Sequence, residues 1–196
     1  IRIEKNSLVF PDVQAGEKPV MHIGVVNLSD RPYEPVLMHL PPYLQTEVKP
    51  NVLQKGEKGV ITVTLDSERL TDFGLTQSSV YLARFAGDKV GDENEIPVSA
   101  ILLPDFSGMS DTEKANAPVV NLSIKDIDMS TALAKKSKAR QDIVITNTGR
   151  SPLQISKLQV FHPAVGAGLK KRRHLRLLMI TNDPMQPKVE INIKAK

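Results

Sequence analysis

The chain has 196 residues, 40% hydrophobic content, a net charge of +4 and a mean hydropathy of -0.20, which are typical of a globular protein with room for two small domains. No apolar run approaches the ~20 residues that a membrane-spanning helix needs, and the lack of cysteine excludes disulfides, thiol catalysis and cysteine-ligated metals. Because the chain begins at Ile1 without a charged-then-apolar leader, we expect a mature or trimmed product whose export signal or anchor was removed.

Residues 1–104 are predicted to form short strands throughout. Apolar side chains recur at every second position over 21–25 and over 61–65, which is the period of a half-buried strand. Residues 80–85 and 96–101 are predicted to form a final hairpin. About seven strands in roughly 100 residues is the density of an immunoglobulin-like sandwich.

One unit of sequence occurs twice, at 25–33 and, 120 positions later, at 145–153. Each copy is predicted to be a strand, a tight turn led by asparagine, and a proline that opens the next strand. We therefore expect Asn27 and Asn147 to end a strand, and Gly149 to adopt a positive φ, as an Asn-x-Gly turn requires.

The later part of the chain is predicted to be a linker followed by a second immunoglobulin-like sandwich. Residues 105–118 are polar, rich in turn formers and without periodicity, so we predict a linker there and a second domain over 119–196. Residues 67–70 could form one helical turn. Residues 128–136 could form a short helix or a loop with a basic tip, and we favour the loop.

The two copies predict the same inner face. Ile143 and Ile145 fall where Ile23 and Val25 stand, so both pairs are expected to face a core. The same offset of 120 continues after the proline, to positions such as Leu158, which corresponds to Met38.

The second copy is shorter than the first. At the final hairpin Leu82 corresponds to Leu175, so the offset has fallen to 93, and roughly 27 residues of the first domain, including the strand at 61–65, have no counterpart. Losing a strand from a sandwich exposes a sheet edge and part of the core. We therefore hypothesise a missing segment near 170–173, with the run Lys170-Lys171-Arg172-Arg173 as an artificial junction of two loop ends.

Residues that carry enzyme chemistry form no recognised pattern. The four histidines are far apart in the sequence and match no metal-ligand spacing: His22, His39, His162 and His174. The serines in 107–110 lack the flanking glycines of a nucleophile elbow, and no dinucleotide or Walker signature is present. Asn27-Leu28-Ser29 and Asn121-Leu122-Ser123 match the glycosylation pattern, a weak signal. We predict no catalytic residue, no cofactor and no metal.

The charge is unevenly distributed. Residues 1–104 hold 10 Lys+Arg and 14 Asp+Glu, a net of -4, whereas residues 105–196 hold 16 and 8, a net of +8. The basic clusters at 135–138 and 170–173 are compatible with an anionic partner, but solvated loop charge is the interpretation we favour. A nucleic-acid partner is disfavoured because no aromatic residue lies between the basic ones to stack on a base.

The turn and core motifs resemble a known family. The pattern Leu8-x-Phe10-x-x-Val13-x-x-Gly16-Glu17, followed by Asn27-x-Ser29-x-x-Pro32, resembles the ASH-like branch of immunoglobulin folds. More closely, it is similar to an uncharacterised family of exported Gram-negative bacterial proteins with tandem domains of that type. Asn147-Thr148-Gly149-x-x-Pro152 matches the same signature. The resemblance implies an extracytoplasmic (periplasmic or cell-surface) binding or structural module and supplies no catalytic residues.

Three functions follow as hypotheses. The favoured one is a non-enzymatic envelope protein that binds proteins or other envelope components through strand edges and loops. The alternative is a periplasmic chaperone, which would bind secreted subunits by strand addition at an edge of the first domain. An enzyme is the third.

Overall fold

The structure is a computed structural model that describes residues 1–136, 138–162 and 174–195. The chain is all-β, with two immunoglobulin-like domains, and it divides into two compact units. The first unit holds Ile1–Thr71 and Thr76–Leu102, and the second holds Asp72–Leu75 and the described residues from 103 onward.

The first unit is a sandwich of two four-stranded sheets. Its strands are β1 (Arg2–Ile3), β2 (Leu8–Val9), β3 (Val20–Val26), β4 (Val36–Met38), β5 (Leu44–Lys49), β6 (Lys58–Leu65), β7 (Gly74–Ala83) and β8 (Glu95–Leu102). One sheet has the order β1-β3-β6-β5 and the other the order β2-β8-β7-β4. Strand β2 runs parallel to β8, whereas β1–β3, β3–β6, β5–β6 and β4–β7 are antiparallel.

The core of the first unit lies between the two sheets. Ile23 pairs with Ile61 across β3 and β6, and both are completely buried, as are Val63 and Leu65. Threonines occupy the alternate positions of β6, so the predicted period of two is confirmed. The predicted helical turn is also confirmed, as a 3₁₀ turn at Ser67–Arg69 in which the Asp66 side chain accepts a hydrogen bond from the Glu68 N–H.

The second unit contains a four-stranded sheet and a two-stranded sheet. Its strands are β9 (Val120–Leu122), β10 (Asp126–Asp128), β11 (Ile145–Asn147), β12 (Ile155–Phe161), β13 (His174–Thr181) and β14 (Lys188–Lys194). The larger sheet has the order β10-β14-β13-β12, and β9 pairs with β11 to form the smaller one. Val120, Met179 and Val189 form the buried cluster between them.

The strand pairings of the two units correspond, with one omission. The antiparallel pair β9–β11 matches β1–β3, the parallel pair β10–β14 matches β2–β8, and the antiparallel pair β12–β13 matches β4–β7. The described residues of the second unit contain no counterpart of β5 and β6. In the first unit residues 39–73 separate β4 from β7, a count of 35, whereas only residues 162–173, a count of 12, separate β12 from β13.

The difference of 23 between these two counts is close to the length of the β5–β6 hairpin, which spans residues 44–65. The hypothesis that a segment is missing near 170–173 falls on residues outside the described part of the chain. It stays a prediction.

The predicted correspondence between the two copies is wrong by one residue in the strand that follows the turn. Leu37 pairs with Leu82, and both are buried in the core, whereas Met38 pairs with Tyr81 on the other face. In the second unit Leu158 pairs with the buried Met179. Leu158 therefore corresponds to the inward-facing Leu37, and the offset of 120 does not extend through this strand.

Two short helices differ from the favoured predictions. Helix α1 (Asp111–Ala115) lies in the predicted linker, and its start is a capping box in which Ser110 and Glu113 bond each other's backbone N–H. Helix α2 (Ser130–Lys135) replaces the loop that the sequence favoured. The Asp128 carboxylate accepts a hydrogen bond from the Ser130 N–H at 2.9 Å, which orders the chain just before this helix.

The prediction for Gly149 was wrong. Of the glycines that the structure describes, those with a positive φ are Gly16, Gly56, Gly74 and Gly87, and Gly149 is not among them. The turn is closed by the Asn147 side chain, whose Oδ1 accepts from the Gly149 N–H at 2.9 Å, so no left-handed residue is needed. Glycine is required there for space, because a Cβ atom would lie 2.6 Å from the Cα of Pro118 and 2.5 Å from the backbone nitrogen of Val119.

Candidate functional site

Among the strands that the structure describes, β11 has a partner on one side only. Its neighbour is β9, and no other strand of the described residues pairs with it. The Thr148 N–H donates to Val119 O, and the Ser123 N–H donates to Val144 O. Hydrogen bonding alternates along an antiparallel strand, so Ile145 and Asn147 direct their backbone N–H and C=O groups away from β9. We call the backbone of Ile145 and Asn147 the open edge.

The first unit shows what covers the equivalent groups. Asn27 is the counterpart of Asn147, and its N–H donates to Glu57 O at 3.0 Å while its C=O accepts from the Gly56 N–H at 2.7 Å. Val25, the counterpart of Ile145, pairs with Gly59 of β6. The backbone groups that bond β6 and its preceding turn in the first unit thus correspond to the groups that form the open edge in the second unit.

An exposed apolar face lies on strand β12, the edge strand of the larger sheet. Ile155, Leu158 and Val160 pair with Thr181, Met179 and Leu177 of β13, so all three side chains lie on the face that carries the buried Met179. They are 41%, 59% and 60% exposed, respectively. We call these three residues the open face.

The same position in the first unit is buried. Leu37 of β4 is 3% exposed, and the opposite sheet contributes the fully buried Ile61, Val63 and Leu65 from β6. Ile145 is 39% exposed, compared with 1% for Val25. The expectation that Ile143 and Ile145 would be core residues is therefore corrected: Ile145 is exposed and Ile143 is half-buried, because no described strand corresponds to the β6 wall.

The open edge is held in place from behind. Val120 on β9 donates its N–H to the buried Asp183 carboxylate at 2.9 Å, and its C=O accepts from Gln186 Nε2 at 2.9 Å. The Asn147 side chain donates to Ser151 O at 2.8 Å and accepts from the Val119 N–H at 3.1 Å. These bonds hold strands β9 and β11 in place relative to the β13–β14 connection. None of them involves the outer side of β11, where the open edge lies.

The charges that flank β11 are mainly positive. Lys138 and Arg150 are exposed on either side of the strand in the sequence. Arg140 forms an ion pair with Asp142 at 2.9 Å, so this acidic residue is neutralised. The predicted basic tip, Lys135 to Lys138, ends helix α2 and continues toward β11, with Ser137 outside the described residues.

Residues that the sequence singled out for chemistry do not converge. His22 is exposed and its Nδ1 lies 3.3 Å from Thr62 Oγ1, whereas His39 packs edge-on against Tyr81. His162 Nδ1 lies 3.3 Å from the carbonyl oxygen of His174. Within the described part of the chain, no three His, Asp or Glu residues are grouped to hold a metal ion. No helix in that part is long and apolar enough to cross a bilayer.

A small depression lined by β10, β13 and β14 contains two carboxylates, and both are already paired. Asp126 accepts from Asn192 Nδ2 at 2.8 Å, and Asp128 lies 3.2 Å from Lys194 Nζ. Hydrogen bonds from the side chain and then the backbone of Ser130, together with Lys194, lower the pKa of Asp128 to about 2. This carboxylate therefore stays ionised and acts as an anchor for the start of α2.

The sequence showed that the second copy is shorter than the first, but not which surface would be exposed. The offset of 120 gave Leu158 the same place in the second copy as Met38 has in the first, and that correspondence alone does not predict exposure. The signal for the exposure of Leu158 and Val160 was the shorter spacing of the second copy, in which residues 44–65 of the first unit have no described counterpart.

Comparisons with known proteins establish the fold. No protein-family profile and no curated protein matches the chain. It is similar to a protein of unknown function from Porphyromonas gingivalis W83, with a TM-score of 0.67 and 19% identity over 100% of this chain and 98% of that chain. Lower similarity, with a TM-score of 0.36, relates it to the Pseudomonas aeruginosa CupB2 chaperone (10% identity, 100% of both chains) and to the E. coli chaperone DraB (8% identity, 100% of this chain and 96% of that one). The likeness to the Porphyromonas protein shows a shared two-domain β fold.

Proposed function

We propose that the chain is a non-enzymatic binding or structural module of the bacterial cell envelope, acting outside the cytoplasm, and that its units belong to the ASH-like branch of immunoglobulin folds. The observation that carries the proposal is the open edge together with the open face. Unpaired backbone groups on a strand edge and exposed apolar side chains are features that strand-binding domains use. The resemblance to exported tandem-domain proteins supports the location.

The proposal assigns no catalytic residue, no cofactor and no metal. The histidines lie apart, and the strongly acidic carboxyls of Asp88 and Asp128 are each held by a cation, Arg84 and Lys194, within a turn or at a helix start. Such pairing stabilises local structure and leaves these carboxylates ionised, which suits neither an acid nor a base near neutral pH.

A site-specific photo-cross-linker tests this function in the bacterium that produces the protein. A cross-linking amino acid at Leu158 should give an adduct with a defined envelope protein, identified by mass spectrometry, in the envelope fraction. The matched control is Val9, which is 63% exposed on β2 and lies in the other unit. Adducts that are equal at both positions, or a protein recovered in the cytoplasmic fraction, would refute the proposal.

The alternative function is a periplasmic chaperone that binds secreted subunits by strand addition. Strand β5 is an edge of the first unit, where such a chaperone would receive a strand. However, the edge carries the exposed pair Glu47 and Lys49, and charged residues are a common means of blocking strand addition. The two functions are separated by an aggregation assay: a chaperone suppresses the aggregation of an unfolded subunit at equimolar ratio, and a structural module does not.

A further inference from the structure

We infer that the first unit binds the phosphoethanolamine headgroup of a phospholipid, on the outer face of its β1-β3-β6-β5 sheet. This surface is separate from the open edge and the open face. The inference rests on the proposed location in the cell envelope, where the protein would meet such lipids, and it adds a second binding surface and the chemistry of its ligand.

A depression on the outer face of this sheet is lined by residues of β1, β3 and β6. Val25 of β3 is buried in the core, so Gly24 and Val26 on either side of it face outward. Val26 pairs with Arg2 of β1 on one side and with Lys58 of β6 on the other. We call this site the outer depression, and its lining residues are Arg2, Ile3, Glu4, Val26, Leu28 and Lys58.

Arg2 and Lys58 provide the anion-binding part of the outer depression. Paired residues on neighbouring strands lie about 5 Å apart, so the Cα atoms of Arg2 and Lys58 are roughly 10 Å apart across Val26. Both residues are exposed, and neither forms an ion pair within the described part of the chain. Two long cationic side chains on either side of an uncharged residue can hold one phosphate between them.

Glu4 provides an acceptor for a cation in the neighbouring row of the sheet. Its N–H donates to Gly24 O at 3.0 Å, and its carboxylate lies over Gly24, in the space that a Cβ atom at this position would need. No cation of the described residues pairs with this carboxylate. The rows of Gly24 and Val26 are about 7 Å apart. A phosphate bound near Val26 and an ammonium group joined to it by a short ethylene link can therefore reach both rows.

The apolar part of the outer depression is Leu28, which follows Val26 by two residues and is 64% exposed. The chain thus presents, in order, a carboxylate over Gly24, a pair of cations beside Val26, and an exposed leucine. A phosphoethanolamine lipid carries an ammonium group, a phosphate and acyl chains in the same order. A phosphocholine lipid shares that order, but its nitrogen carries methyl groups and cannot donate a hydrogen bond to Glu4.

Co-sedimentation with vesicles tests the headgroup. Vesicles of phosphatidylcholine alone are compared with vesicles that contain equal parts of phosphatidylcholine and phosphatidylethanolamine, using the full chain. Both kinds of vesicle are electrically neutral, so a difference in binding reports the headgroup and not the surface charge. The chain should bind the vesicles with phosphatidylethanolamine about fivefold or more tightly.

Variants of the lining residues separate the parts of the site. Lys58→Gln and Arg2→Gln should each weaken binding to the mixed vesicles about fivefold or more. Glu4→Gln should abolish the preference for phosphatidylethanolamine. The control Lys5→Gln removes an exposed cation of the same segment that does not line the outer depression, so it should change neither result. All these residues are exposed, so the urea midpoints should match that of the unaltered protein.

The soluble headgroup distinguishes a lipid from a simple anion. O-phosphoethanolamine should shift the NMR signals of the Gly24 and Val26 amides, and inorganic phosphate should bind more weakly. Leu28→Ser should leave the binding of O-phosphoethanolamine unchanged and weaken the binding of the mixed vesicles, because only the intact lipid has acyl chains.

Several results would overturn the inference. Equal binding to the two kinds of vesicle, a preference that persists in Glu4→Gln, or equal losses in Lys5→Gln and Lys58→Gln would each do so. Inorganic phosphate that binds as tightly as O-phosphoethanolamine would show a simple anion site. A cross-linker at Leu28 that captures a protein, in a chain that does not bind vesicles, would assign the surface to a protein partner. The cross-link at Leu158 and the cell fraction are independent readouts, so the proposed function can stand or fail separately.

Discussion

Asn27 and Asn147 close the same turn in different surroundings. Each side chain accepts from the backbone N–H two residues later and donates to the carbonyl four residues later. Asn27 also donates to Leu53 O at 2.9 Å and is completely buried, whereas Asn147 is exposed. The sequence predicted the turn in both copies, because an asparagine side chain can replace a backbone group there. The difference in burial depends on a contact from the β5–β6 connection, which lies far away in the sequence.

Replacing the two asparagines should therefore have unequal effects. Asn27→Ala leaves the buried Leu53 carbonyl without this donor, so we expect a loss of about 1–3 kcal/mol in the free energy of unfolding. Asn147→Ala should cost about 0.5–1.5 kcal/mol, since water can reach the groups that it bonds. Urea unfolding of the two variants measures this difference. Equal losses would show that the β5–β6 connection does not contribute to the role of Asn27.

Gly149 is needed for the approach of the backbone at Pro118 and Val119. Gly149→Ala forces a Cβ atom into that space, so we expect the free energy of unfolding to fall by about 1–3 kcal/mol. Gly108 is the matched control, because it has no positive φ and a Cβ there meets no atom within 4 Å. Gly108→Ala should leave the urea midpoint unchanged or slightly raised. Similar midpoints for the two variants would rule out the steric explanation.

At the scale of elements, the start of α2 depends on the Asp128 carboxylate. Its pKa lies near 2, lowered first by the Ser130 hydroxyl, so its contribution to stability is present above the ordinary pKa of aspartate and is lost as the pH falls toward 2. In Ser130→Ala the carboxyl loses its strongest partner and should titrate at a higher pH. Carbon-detected NMR of the Asp128 carboxyl measures the shift. A pKa that is unchanged in this variant would mean that Lys194, and not Ser130, sets the value.

The elements of the first unit were easier to predict than those of the second. Alternation over 21–25 and 61–65 identified β3 and β6, because both faces of those strands follow a period of two. Helix α2 was the less favoured of two alternatives, because its start depends on one Asp128 side chain, which is equally compatible with a loop. Helix α1 carried a readable signal, the capping box of Ser110 and Glu113, inside a stretch whose composition indicated a linker.

At the scale of the whole molecule, the duplication explains both the fold and the candidate site. Three strand pairs recur in the two units. In the first unit 35 residues separate β4 from β7, whereas in the second only 12 residues separate the corresponding strands β12 and β13. This shortening was visible in the sequence as a falling offset between the copies. The exposure of Leu158 and Val160 was not visible in the sequence, because it depends on which strands face each other across the sandwich.

Hydrogen exchange at two equivalent backbone amides tests the open edge most directly. The N–H of Val25 pairs with β6, and the N–H of Ile145 faces the open edge, so the same chain contains both the covered and the uncovered case. NMR-detected exchange at Ile145 should be much faster than at Val25. Protection of the Ile145 amide equal to that of Val25 would contradict the existence of an open edge.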